Sequence, residues 1–134
     1  MARITVVDDY AEFLGAMTAI LDGLEGHAVA TFTGADTTLD DLVRSQPDLL
    51  IVDLHVFDDH QAGLSVDALA SADAPLSNVP MIICSGDLQR LRDGATLPRD
   101  HGLYTLEKPF NVEDLTALVD RALSEAAAGI QAQA

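Results

Sequence analysis

Leu49-Leu50-Ile51-Val52-Asp53 is apolar on four consecutive positions and then ends in a carboxylate. A strand with one face in water alternates apolar and polar residues, so an unbroken apolar run reads as a strand covered on both faces. Two more runs have nearly the same form: Ile4-Thr5-Val6-Val7 leads into Asp8-Asp9, and Met81-Ile82-Ile83-Cys84 leads into Ser85-Gly86. A fourth, Leu103 to Leu106, runs into Glu107-Lys108-Pro109, and a fifth, Ala28 to Phe32, alternates more and reads as a strand near an edge.

Helical patterns lie between and after these runs. Phe13, Leu14, Met17, Ile20, Leu21 and Leu24 form one stripe, and Gly26 supplies its stop. Asn111 caps a last helix whose buried face is Val112, Leu115, Leu118, Val119, Ala122 and Leu123, with Glu113 and Asp114 in its positive first turn. A second helix is expected from about Ala35 to Ser45, before Pro47, with Leu39, Leu42 and Val43 inward. A third is expected over Leu64–Ala72, and a short fourth around Leu88–Ala95, limited by Gly94, Pro98 and Gly102. Strands alternating with helices give βαβ units and a parallel sheet. The expected architecture is α/β: a doubly wound five-stranded parallel sheet of order 2-1-3-4-5 with five helices. The carboxyl ends of parallel strands share one edge, and ligands bind there, where the order reverses between strands one and three. Asp8, Asp9 and Asp53 then sit side by side, with Ser85 and Lys108 further along the same edge.

The chain has 134 residues, room for one domain and a core that hides roughly two-thirds of the unfolded surface. Residues 1–125 are expected to form it, and the Ala- and Gln-rich stretch 126–134 to be a fraying tail. The 22 acids against 7 bases give a net charge of −15, which argues against nucleic acid and against an anionic membrane surface as partners. One cysteine, Cys84, excludes an internal disulfide and suits a reducing cytosol. It reads as a small buried apolar group. No stretch of about 20 apolar residues is present to span a bilayer, and no signal-peptide core fits the N-terminus, so a cytoplasmic protein is expected.

Three carboxylates at one point are unfavourable alone. Two like charges about 4 Å apart repel by roughly 4 kcal/mol at an effective dielectric near 20. Either one carboxyl holds a proton or a cation neutralises the group. Mg²⁺ suits an oxygen donor set, takes few carboxylates and keeps waters that a phosphoryl oxygen can replace. Asp53 is the candidate nucleophile, Lys108 a neutralising cation, and Ser85 a hydroxyl for one phosphoryl oxygen, with Gly86 allowing close backbone approach. Each residue alone has a plainer reading. Asp8 and Asp53 are strand-end turn residues, Asp9 the cap of the first helix, Ser85 a turn residue, Lys108 a solvated lysine and Pro109 a helix punctuator. Their joint placement on one edge, in chain order, favours the phosphoryl reading.

The motifs Val6-Val7-Asp8-Asp9, Leu50-Ile51-Val52-Asp53, Ile83-Cys84-Ser85-Gly86 and Glu107-Lys108-Pro109-Phe110 resemble those of response-regulator receiver domains of two-component systems, over residues 3 to about 125. The resemblance implies that Asp53 accepts phosphate from a phosphohistidine on a sensor histidine kinase or a histidine phosphotransfer protein. It implies that Asp8, Asp9, Asp53 and the backbone carbonyl of His55 hold Mg²⁺. It implies further that Ser85 and Lys108 contact the phosphoryl group, and that the Lys108–Pro109 peptide is cis. His55 and Asp87 fall where relatives tune phosphate lifetime.

Two features depart from that family. The stretch Asp53-Leu54-His55-Val56-Phe57-Asp58-Asp59-His60-Gln61-Ala62-Gly63 lacks the usual proline and is two residues longer before its glycine. Receivers commonly carry Tyr or Phe three residues before the lysine, where Thr105 stands here, and Tyr104 before it should face the other way. The expected protein is a stand-alone receiver that signals or relays phosphate to a downstream protein target, with no substrate turnover of its own. One alternative is a non-phosphorylated receiver acting as an interaction module. Another is an aspartyl-nucleophile phosphohydrolase of the haloacid dehalogenase type, against which His55 stands where the second acid belongs.

Overall fold

The computed structural model describes residues 2–33, 37–53, 76, 78–86 and 103–127. Five strands are present: β1 (Arg3–Val7), β2 (Ala28–Phe32), β3 (Leu49–Asp53), β4 (Met81–Ser85) and β5 (Leu103–Glu107). All pair in parallel, in the order β2-β1-β3-β4-β5. This is the sheet expected from the sequence, with the reversal between β1 and β3 and with β2 at an edge. The described helices are α1 (Ala11–Thr18, continuing in a wider-wound segment Ala19–Leu24), α2 (Leu39–Arg44) and α3 (Val112–Ala127). The helices expected at 64–72 and 88–95 lie outside the described residues.

The unbroken apolar runs feed two cores, because successive side chains on a strand point to opposite faces. Val7, Leu50, Val52, Met81 and Ile83 meet Leu42 of α2 and Leu76 on one face. Ile4, Val6, Leu49, Ile51, Ile82 and Cys84 meet Leu14, Met17 and Leu21 of the first helix and Leu115, Val119 and Ala122 of α3 on the other. Thr5 interrupts the β1 run but is buried. Its hydroxyl lies 2.7 Å from that of Ser45, which in turn donates to the Leu42 carbonyl at 2.6 Å. A buried hydroxyl is tolerated when it is hydrogen-bonded.

Four local expectations are corrected. Leu24 is 72% exposed and not part of the buried stripe. The helix widens after Thr18, with Glu25 N donating to Ile20 O at 3.2 Å, so the extra residue per turn rotates Leu24 outward. Gly26, at φ +73°, then ends the segment in the left-handed region where glycine carries no Cβ penalty. The second helix begins at Leu39, not Ala35, because Thr38 is extended and caps it. Asp41 N donates to Thr38 Oγ1 at 3.3 Å and Thr38 N to Asp41 Oδ2 at 3.0 Å, a reciprocal capping box. Val43 and Val112 are exposed, at the flanks of faces that Leu42 and Leu115 centre. Asn111 does cap the last helix, accepting from Asp114 N at 2.7 Å, and α3 runs on to Ala127.

Candidate functional site

β1 and β3 are neighbours in register, with Val7 beside Val52. The residues just after each pair therefore emerge together at the carboxyl edge. Asp8 is wholly buried and Asp53 nearly so. Asp8 N donates to Phe32 O at 3.1 Å, and Asp8 Oδ1 accepts from Tyr10 N at 2.9 Å, which fixes the carboxylate at the start of the β1–α1 turn. β5 brings Lys108 to the same place, because Lys108 N donates to the Ser85 carbonyl at 2.8 Å and so continues the β4–β5 ladder. The Lys108 ammonium bridges the two acids, 2.9 Å from Asp8 Oδ2 and 3.1 Å from Asp53 Oδ2. The Lys108–Pro109 peptide is cis.

Burial pushes the Asp8 carboxyl up, against the opposing pull of Lys108 and of the Tyr10 amide. Burial also weighs against the Lys108 ammonium, but the two carboxylates outweigh it and hold its pKa above the ordinary lysine value. The site therefore keeps a cation between two acids.

Of the residues singled out by sequence, Asp8, Asp53 and Lys108 are in direct contact. Ser85 is buried at the end of β4, and its carbonyl is bonded to the lysine's own amide. Asp9 is exposed at the mouth. A Cβ on Gly86 would meet only the Lys108 carbonyl at 3.9 Å, an ordinary contact, so the described neighbours do not require glycine there. His55, Asp87 and the loop 54–63 lie outside the described residues. Among the described residues no group of three or more His, Cys, Asp or Glu side chains is gathered to hold a metal ion. The donor set still suits Mg²⁺, which takes one or two carboxylates and keeps waters; Asp8 and Asp53 converge on one point and offer two.

β5 is unbroken, with Tyr104 beside Ile82 and Thr105 beside Ile83. Tyr104 accordingly joins the core under α3, and Thr105 is exposed on the opposite face. The Tyr104 hydroxyl donates to Glu125, and Arg121 lies over its ring at 5.5 Å while pairing with Glu125 at 3.5 Å. Burial, and then Glu125, push the phenol up to about 12. A phenol raised in the folded state stabilises fully below its unfolded value of about 10, and that contribution is lost as pH rises toward 12. Glu125→Gln is expected to lower the pH at which Tyr104 ionises, read as tyrosinate absorbance with Tyr104→Phe as the assignment control. An unchanged titration would contradict the pairing.

Sequence reasoning missed one partner of the lysine. Phe13, assigned only to the core stripe, has its ring centroid 4.0 Å from Lys108 Nζ. Phe110 meets the same ring edge-on, with centroids 5.9 Å apart and planes at 81°. The signal available was position: Phe13 lies on the first turn of α1, which follows directly on the acidic end of β1.

No family model matches the chain. Over 121 residues, 90% of its length, it is 30% identical to the nitrogen assimilation regulatory protein NtrX of Azorhizobium caulinodans, of which the match covers 26%. The chain spans about a quarter of the length of the curated relatives it matches. Among solved structures it superposes on the chemotaxis protein CheY4 of Vibrio cholerae with a TM-score of 0.70 at 21% identity, covering 91% of this chain and 98% of that one. The signal receiver domain of a putative LuxO repressor protein from Vibrio parahaemolyticus gives 0.72 at 22% identity, covering 99% and 98%. Sheet order and these likenesses show that the chain has the fold of response-regulator receiver domains.

Proposed function

We propose that this receiver domain takes a phosphoryl group onto Asp53 from a phosphohistidine and passes the signal on by protein–protein contact. The observation that carries this reading is the convergence of Asp8, Asp53 and Lys108 from three strand ends onto one point. An Asp53 oxygen attacks phosphorus in line with the donor's N–P bond; the O–P bond forms, the N–P bond breaks, and the imidazole leaves and takes up a proton. Lys108, already charged and half-enclosed, moves its hydrogen bond from the Asp53 carboxylate to an incoming phosphoryl oxygen. Ser85 at the end of β4 offers its hydroxyl to another. Asp8 and Asp53, with Asp9 at the mouth and, as the resemblance implies, the His55 carbonyl, would hold Mg²⁺, which when bound would supply the positive charge that lets two anions meet. The partners are a sensor kinase or a histidine phosphotransfer protein on one side and a protein target on the other. The lone thiol, Cys84, suits a reducing cytosol.

Exposure to acetyl phosphate with Mg²⁺, followed by intact-mass measurement, is expected to show a gain of one phosphate that EDTA prevents. One observation favours a second reading, a receiver fold kept purely as an interaction module: Tyr104 is tied to Glu125 on α3, away from the Thr105 face where relatives place their switch ring. No mass gain at any Mg²⁺ concentration would favour that module. Sustained turnover of a generic phosphomonoester would instead indicate a phosphohydrolase.

A further inference from the structure

We propose that Phe13 is a positioning residue for phosphoryl transfer: its ring face holds the Lys108 ammonium at the carboxylate pair and steadies it while its charged partners change. The inference rests on the phosphoacceptor reading of Asp53. Lys108 must do two things there. It neutralises Asp8 and Asp53 at rest, and it must release at least one of them as Mg²⁺ and a phosphoryl oxygen arrive. A flexible four-carbon lysine stem between two carboxylates has nothing in those contacts to keep it aimed once they rearrange.

The geometry supplies a third partner that the incoming anion does not displace. Lys108 Nζ lies 4.0 Å from the Phe13 ring centroid, well inside the range of a cation–π contact. The ring itself is fixed. Phe110 packs against it in a T-shaped pair with centroids 5.9 Å apart, and Phe13 is partly buried against the core that the first helix and α3 share. The surroundings sharpen the contact. The lysine lines a cleft of about 450 Å³ whose other walls include Phe13, Met17, Ile20, Pro109 and Phe110, all apolar. On that side the Phe13 ring face is what meets the ammonium, and partial burial of the ammonium strengthens such a contact. Phe13 and Phe110 sit at two chain positions far apart in sequence, so the clamp joins the start of α1 to the β5–α3 turn. It couples the charge state of the site to the α1/α3 surface in a chain whose Tyr104 is committed elsewhere.

Stepwise fluorination of the Phe13 ring tests this, because fluorines weaken the ring's negative face while leaving its size nearly unchanged. Phe13→Leu and Phe13→Tyr bracket the series. The first readout needs no phosphate: Lys108 side-chain methylene protons are expected upfield of the ordinary lysine position, and carbon relaxation is expected to show the side chain loosening as fluorines are added. The second is the rate of modification by acetyl phosphate with Mg²⁺, expected to fall in step and to reach about three- to tenfold slower in Phe13→Leu, with Phe13→Tyr close to the wild type. A role in core packing alone would leave both readouts flat across the fluorinated rings, and that result overturns the proposal. If the wild type takes no phosphate, the phosphoacceptor reading fails. The relaxation series then still decides whether the ring holds the lysine: a graded loosening upholds the contact, and a flat series ends it.

Discussion

Lys108→Met is expected to cost about 1–3 kcal/mol of stability at neutral pH and to slow phosphoryl transfer to Asp53 by about 10²–10³-fold. Removing one partner of a fully buried ion pair costs more, about 3–5 kcal/mol. Lys108 is 23% exposed, so water and counter-ions make up part of the loss. What remains is two buried carboxylates, Asp8 and Asp53, that had shared one ammonium. The sign of the pH dependence follows from Asp8. Its carboxyl is already pushed above its ordinary value of 3.8 by burial, and loss of the lysine removes the interaction that held it down. An acid whose pKa is raised by folding binds protons more tightly in the folded state, so stability rises as pH falls through that range. The difference between the variant and the wild type, measured by urea unfolding, therefore shrinks on acidification toward Asp8's raised range. Mg²⁺ is expected to raise the variant's midpoint more than the wild type's. A difference that holds constant or grows as pH falls would contradict the charge account.

Asp53→Asn is expected to abolish phosphate uptake while leaving the fold almost untouched. The amide has no anionic oxygen to attack phosphorus, so the nucleophile is lost outright. Two effects on stability oppose each other: repulsion between Asp8 and Asp53 disappears, and so does the attraction of Asp53 for Lys108. Both act over a few ångströms at the same partly buried site and have opposite signs, so they largely cancel and the unfolding midpoint should move little. Intact mass after acetyl phosphate should stay at the unmodified value, with circular dichroism unchanged. A variant that still gains a phosphate would place the acceptor elsewhere.

The doubly covered parallel sheet was legible because the β1, β3 and β4 runs put apolar residues on both faces, and its order followed from five alternating elements joined by right-handed crossovers. The site was legible for a related reason: in a parallel sheet, the residue after each apolar run has one place to go. What escaped the sequence depended on neighbours distant in the chain. Leu24 obeys helical spacing but is turned outward by the wider winding after Thr18. Thr5 looks out of place in β1 until Ser45, forty positions on, meets its hydroxyl. The Thr38–Asp41 capping box was present as a motif, yet the helix was expected to start earlier because residues 35–37 carry no strong breaker. Phe13 fits the core stripe as well as Leu14 does, and only its place on the first turn of α1 sets it apart. Only the approach of Lys108 from the end of β5 gives its ring a second task.

An acyl phosphate can be reduced by borohydride at its carbonyl carbon, which turns a phosphorylated aspartate into homoserine at that position alone. After treatment with acetyl phosphate and Mg²⁺, borohydride trapping and peptide mapping should find homoserine at position 53, within the Leu49–Asp53 strand end. Homoserine at another acid, or none in a sample shown to be folded and loaded with Mg²⁺, would contradict the assignment of Asp53 as the acceptor.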